Sequence, residues 1–222
     1  MILDHNFAGK NVVVVGGEAE AYRKILNFLD AHSKVLVASR NFLDTILTLH
    51  QLKKIDLIKS EIKDAEAFVR SLYPTPYLLV AVTNNQKLNR QLAKYAKARG
   101  CMVYIADDPV ISDFIFPTLV KIADVTIAVS TMGKSPSMNE VLRNRIEKMI
   151  TEEDLLQIKL ENYITPILKQ QFAEQKIRKI VLSEIIEDRS IKKLLTRGKF
   201  EDAKQLAVEI AVSFGDKNQD LK

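Results

Sequence analysis

Four consecutive valines closing on two glycines, Val12-Val13-Val14-Val15-Gly16-Gly17, constrain this chain more than any other segment. β-Branched side chains favour extended backbone, and a run that is apolar on both faces belongs to a strand covered on both sides. The glycines end it in a turn. Residues 19–31 then set Ala21, Ile25, Phe28 and Leu29 on one helical face, and residues 34–38 form a second apolar run. Strand, glycine turn, helix and strand within about 30 residues make a βαβ unit. The alternation continues, with helices expected over 41–53, 63–71 and 86–99 and strands over 55–58, 77–82 and 102–105; Gly100 stops the last helix. Repeated alternation specifies an α/β, Rossmann-type doubly wound parallel sheet, whose ligands bind beyond the carboxyl ends of the strands.

After Pro109 the rhythm changes. Residues 114–120 and 125–130 read as two strands, 131–137 as a loop, and 138–149 as a helix entered through Ser135-Pro136, an N-cap followed by a first-turn proline. Helices are expected over 151–175, 177–188, 191–196 and 200–212, with Gly198 between the last two and a frayed polar tail over 215–222. The chain therefore divides into a sheet domain over 1–112, a small α+β segment over 113–150 and a helical C-terminal domain over 151–222.

Composition excludes several classes of function. Hydrophobic residues make up 47% of 222, enough for a sizeable core. No apolar run approaches the roughly 18 residues that span a bilayer, and Met1-Ile2-Leu3-Asp4-His5-Asn6 lacks the basic and apolar regions of a signal peptide. Cys101 is the single cysteine, so no intrachain disulfide forms; it opens an apolar run and reads as a buried structural thiol in a cytoplasmic protein. Residues 151–222 hold 13 basic and 13 acidic side chains, so the whole formal excess of +5 lies before them. That excess suits an anionic ligand or is a solvated surface that happens to be basic; both readings stay open. The basic residues are scattered and no nucleic-acid recognition motif is present, which argues against nucleic acid.

The glycine turn is the first candidate for chemistry. A dinucleotide site needs a tight turn, close approach of backbone to pyrophosphate, and a helix N-terminus to hold the charge. Gly16 meets the first need and Ala21 the third. The second position holds Glu18, whose side chain crowds a pyrophosphate and whose charge repels it. After the second strand come Ser39-Arg40, where arginine can meet a 2′-phosphate or stand as a solvated charge; both readings stay open. Asp107-Asp108-Pro109 follows the fifth strand, where a carboxylate can serve as general base or bind a metal or a pyrrole nitrogen, and where paired aspartates before proline are also ordinary turn chemistry. His5, His32 and His50 lie far apart, and no spacing resembles a metal site.

Four segments in order resemble the precorrin-2 dehydrogenase / sirohydrochlorin ferrochelatase family, in the part shared with the N-terminal half of siroheme synthase. They are the glycine turn followed by Arg23-Lys24, then Ala81-Val82-Thr83-Asn84-Asn85 with Asn89. Asp107-Asp108-Pro109 with Phe114-Ile115-Phe116-Pro117 is the third, and Ala128-Val129-Ser130-Thr131-Met132-Gly133-Lys134-Ser135-Pro136 with Leu142-Arg143 the fourth. The resemblance covers residues 5–150 and extends more loosely beyond. It implies NAD-dependent oxidation of precorrin-2 to sirohydrochlorin, with insertion of ferrous iron in some members. It also implies homodimers in which the 113–150 segment builds much of the interface. On this resemblance Asp107 is the catalytic residue, while Gly16, Gly17, Glu18, Ala19, Ser39, Arg40, Thr83 and Asn84 hold NAD. Ser130, Thr131, Gly133, Ser135 and Arg143 then bind the tetrapyrrole. Glu18 stands where the family has a further glycine. The competing readings are a tetrapyrrole-binding or chelatase member without NAD, and a regulatory Rossmann-like dimer.

Overall fold

The computed structural model describes residues 4–219. The chain packs as two compact units, one ending at Phe116 and the other beginning at Pro117. In the first, five parallel strands lie in the order β3-β2-β1-β4-β5. They are β1 (Asn11–Val15), β2 (Lys34–Ser39), β3 (Asp56–Lys59), β4 (Leu78–Ala81) and β5 (Met102–Ile105). Between them run α1 (Ala19–Asp30), α2 (Asp44–Gln51), α3 (Ala65–Ser71) and α4 (Gln86–Ala98). β1 lies at the centre, with Val15 beside Ala38 of β2 on one flank and Ala81 of β4 on the other.

The period-2 alternation of β1 explains the doubly wound arrangement. Val12 and Val14 join Ala21, Ile25 and Phe28 of α1 and Ile46 and Leu49 of α2 in one core. Val13 and Val15 join Ala65 and Val69 of α3 and Leu92, Ala93 and Ala96 of α4 in the other. None of the four valines is more than 4% exposed, and each such burial contributes about 1.5–3 kcal/mol. Cys101 is buried in the second core, and burial pushes its thiol pKa up, as a structural thiol requires. The strand order reverses between β1 and β4, which opens a crevice at the carboxyl ends.

Two segments differ from the sequence reading. Phe114 and Phe116 do not extend a strand; their rings pack on Tyr104 at 5.9 and 4.7 Å, and Phe116 also meets Phe28 at 5.9 Å. Burial of these rings against the first core outweighs their β-propensity, and the strand begins only at Thr118. The tail expected to fray from 215 continues instead as helix through Gln219, while 220–222 lie outside the described residues.

The second unit opens with an antiparallel hairpin, β6 (Thr118–Ile122) and β7 (Val125–Val129), followed by α5 (Pro136–Glu147). Then come α6 (Glu152–Gln171), α7 (Gln175–Glu187), α8 (Arg189–Thr196) and α9 (Phe200–Gln219), which share one core. α6 starts in a capping box, Thr151 with Asp154, which also holds the Asp154 carboxyl below its ordinary pKa. Among the described residues no helix is long and apolar enough to cross a membrane.

Candidate functional site

Three turns stand side by side along the carboxyl edge of the sheet, after β1, β4 and β5. Neighbouring strands lie about 4.8 Å apart, which sets the ends of β1 and β5 roughly 10 Å from each other.

The turn after β1 is built by two glycines for two different reasons. Gly16 has φ +142°, and a Cβ there would stand 2.8 Å from the Val82 carbonyl oxygen. Gly17 has no room at all, since a Cβ would lie 1.8 Å from the Asn41 carbonyl oxygen and 2.8 Å from Ser39 Oγ. The Gly16 N–H donates to Ala38 O and the Leu43 N–H to Gly17 O, both at 2.9 Å, which clamps this turn against the β2–α2 loop. The following residues, Glu18 and Ala19, are exposed. Glu18 occupies the N-cap position of α1 yet makes no side-chain cap bond. Its carboxylate turns instead to Asn84, whose Nδ2 donates to Oε1 and Oε2 at 3.1 Å each. At the end of β2, Ser39 is half-buried and Arg40 exposed.

The turn after β4 is organised by Asn89, which is 0% exposed. Its Oδ1 accepts from Thr83 Oγ1 at 2.6 Å and from the Thr83 N–H at 3.3 Å, and its Nδ2 donates to Thr83 O at 2.9 Å. The same Nδ2 donates to Asp107 Oδ1 at 3.3 Å, which ties the β4 turn to the end of β5. Asn85 caps α4 through Leu88 N at 3.0 Å. Sequence reasoning placed Asn89 in a signature but gave it no role. The available signal was an asparagine at the head of the stripe Asn89, Leu92, Ala93, Ala96, all buried on one face of α4.

Asp107 and Asp108 part company. Asp107 is exposed, with its carboxylate on Asn89. Asp108 is a turn builder: Arg90 Nε donates to its Oδ2 at 3.2 Å, Ile111 N to its Oδ1 at 3.4 Å, and Ser112 Oγ to its backbone carbonyl at 3.1 Å. Lys24 lies near the same end of the unit, on α1. Its ammonium stands 3.9 Å from the Phe116 ring centre, 5.1 Å from that of Tyr104 and 3.4 Å from Glu20, and burial pushes its pKa down. Arg23 pairs with Glu20 on the exposed face.

The remaining sequence candidates fall in the second unit. Thr131 Oγ1 donates to Ser135 O and accepts from Ser135 N, each at 3.1 Å, and Ser130 Oγ accepts from Met132 N at 3.2 Å. Gly133 completes the turn with φ +78°. Ser130, Thr131, Gly133 and Ser135 thus share one folded loop. Ser135 sits at the N-cap of α5 with Pro136 following, but the expected side-chain cap bond is missing. Arg143 lies two turns along α5 and pairs with Glu147 at 3.5 Å. Among the described residues no group of three or more His, Cys, Asp or Glu side chains could hold a metal ion.

The first unit can therefore accept an anion over a glycine turn, at a helix N-terminus left without a side-chain cap, beside a held carboxylate. A dinucleotide fits these groups, with Glu18 the one that opposes it. Comparison with known proteins agrees. The profile of a family described as putative NAD(P)-binding matches residues 3–118. A precorrin-2 dehydrogenase from Methanosarcina barkeri is 27% identical over 187 residues, 84% of this chain and 82% of that protein. A siroheme synthase from Nitrosococcus oceani is 29% identical over 210 residues, 95% of this chain but 43% of its own length, so the chain spans less than half of that relative. Among solved structures, that of SirC, a precorrin-2 dehydrogenase, superposes with a TM-score of 0.76 at 18% identity, over 94% of this chain and 99% of SirC. That likeness establishes the fold.

Proposed function

The chain belongs to the putative NAD(P)-binding family of the precorrin-2 dehydrogenases and siroheme synthases, and we propose that it oxidises precorrin-2 to sirohydrochlorin, with NAD as the acceptor, in siroheme synthesis. The observation that carries this reading is Asp107: an exposed carboxylate at the end of β5, held by a wholly buried asparagine that also shapes the β4 turn. Oxidation removes a hydride and a proton from the substrate and leaves one more double bond in its ring system. NAD, when bound, supplies the hydride acceptor. The chain's own groups do the rest. The backbone around Gly16 and Gly17 and the N-terminus of α1 would receive the pyrophosphate, and Ser39, Arg40, Thr83 and Asn84 would hold the rest of the dinucleotide. Asp107 takes the proton at its carboxylate, and Asn89 holds that oxygen in place.

The Ser130–Ser135 loop and Arg143 offer hydroxyl, backbone and guanidinium donors, which suit the carboxylate groups of a tetrapyrrole. We assign them to substrate binding, and the 113–150 segment to a homodimer interface in a cytoplasmic enzyme. Insertion of ferrous iron into sirohydrochlorin, as a second reaction at the same carboxylate, belongs to the same proposal, with the iron as substrate. The test is an anaerobic assay of the purified chain with precorrin-2, followed by the absorbance of sirohydrochlorin and of NADH. Both should rise together, and only when NAD is present. Conversion without NAD, or none at all with NAD bound, would overturn the reading.

A further inference from the structure

We infer that Glu18 is a built-in competitor for the dinucleotide, held across the crevice by Asn84. The inference rests on the dinucleotide reading above and concerns how that site is tuned. Glu18 follows β1 and Asn84 follows β4, the two neighbouring strands between which the strand order reverses. A ligand that runs from the β2 side to the β5 side of such a sheet must cross between these two turns. The Glu18–Asn84 contact spans that crossing, over 66 residues of sequence, through two 3.1 Å hydrogen bonds.

Three features make the contact a competitor and not a prop for the fold. Both side chains are exposed, so the two bonds add little to stability and open readily. Among the described residues no cation is paired with Glu18, so its charge faces an arriving phosphate uncompensated. Glu18 also ignores the helix it begins. A carboxylate beside a helix N-terminus favours the helix dipole, but this one makes its hydrogen bonds with Asn84 and none with its own first turn. The start of α1 stays without a side-chain cap and remains available to the pyrophosphate. The dinucleotide therefore has to displace the Glu18–Asn84 contact to occupy the crevice, and the displaced carboxylate stays close to the phosphates. Weakened affinity and fast release of NAD follow.

The experiment is isothermal titration of NAD into the wild-type chain, Glu18→Gly and Glu18→Gln, with thermal unfolding to confirm that each variant is folded. Glu18→Gly removes both the crossing side chain and its charge, and should tighten NAD at least about tenfold. Glu18→Gln keeps an acceptor for Asn84 without the charge, and should tighten NAD by a smaller factor. Equal affinity in wild type and Glu18→Gly would overturn the inference, since the carboxylate would then lie clear of the ligand. Weaker binding by Glu18→Gly would overturn it too, by making Glu18 a ligand to the dinucleotide. Failure of all three folded proteins to bind NAD would remove the dinucleotide reading itself.

Discussion

Asn89 donates one hydrogen bond to the Thr83 carbonyl at 2.9 Å and another to the Asp107 carboxylate at 3.3 Å, although nothing of its own side chain reaches solvent. One buried amide thus sets the relative position of two turns that leave different strands. Asn89→Ala would strand the Thr83 N–H and free Asp107. Loss of a buried partner costs about 1–3 kcal/mol, or several degrees of unfolding temperature. Turnover should fall about tenfold through kcat as Asp107 loses its support, and KM for NAD should rise as the Thr83 turn loosens. Steady-state kinetics on the folded variant check this. Unchanged kcat would show that Asp107 needs no such support.

Gly17 and Gly133 should respond differently to alanine. At Gly17 the added Cβ would collide with the Asn41 carbonyl at 1.8 Å, so the β2–α2 loop must move. Gly17→Ala should weaken NAD binding at least about tenfold and lower the unfolding temperature markedly. At Gly133 a Cβ meets nothing within 4 Å, and the cost is confined to φ +78°, about 1–3 kcal/mol of backbone strain. Gly133→Ala should leave NAD affinity at the wild-type value. Calorimetric titration of both variants separates the two; equal losses would show that the glycine turn is not the phosphate site.

How much of this was legible in the sequence follows from range. The sheet was readable because Val12–Val15 and the later apolar runs carry their message locally, and helices α1 and α4 declare themselves by period. The partners of Phe114 and Phe116 are not local. Tyr104 and Phe28 come from β5 and α1, and no periodicity shows that two aromatic residues before Pro117 will face a ring cluster and form no ladder. Glu18 was recognisable as a departure at the glycine turn, but its destination, Asn84, lies on another turn 66 residues away. The two aspartates could not be ranked from Asp107-Asp108-Pro109 alone. Only Arg90 and Ser112, which claim Asp108, and Asn89, which holds Asp107, separate their roles.

The hairpin segment makes its own demand. Leu119, Met132, Met138, Val141 and Met149 are all exposed, Met132 and Met149 to 72%. Apolar side chains gathered in one short segment ask for cover, which the homodimer proposed above would provide. Sedimentation at micromolar concentration should show a species of about twice the 25.2 kDa chain mass. Met132→Lys with Met149→Lys should shift it toward the single chain. A stable wild-type monomer would remove the dimer from the account.

The most direct test of the account compares Asp107→Ala with Asp108→Ala in anaerobic single-turnover oxidation of precorrin-2. Asp107 accepts one bond from a buried amide and otherwise faces solvent, where a proton acceptor must be. Asp108 spends its oxygens on Arg90 and Ile111, and its carbonyl accepts from Ser112. A positioned general base contributes about 10²–10⁴-fold in rate, so Asp107→Ala should slow the oxidation step by that factor, with NAD affinity and circular dichroism unchanged. Asp108→Ala should cost far less in rate and show instead as lower stability of the turn. Wild-type turnover by Asp107→Ala, or the larger rate loss in a folded Asp108→Ala, would contradict the assignment of the reaction to the Asp107 carboxylate.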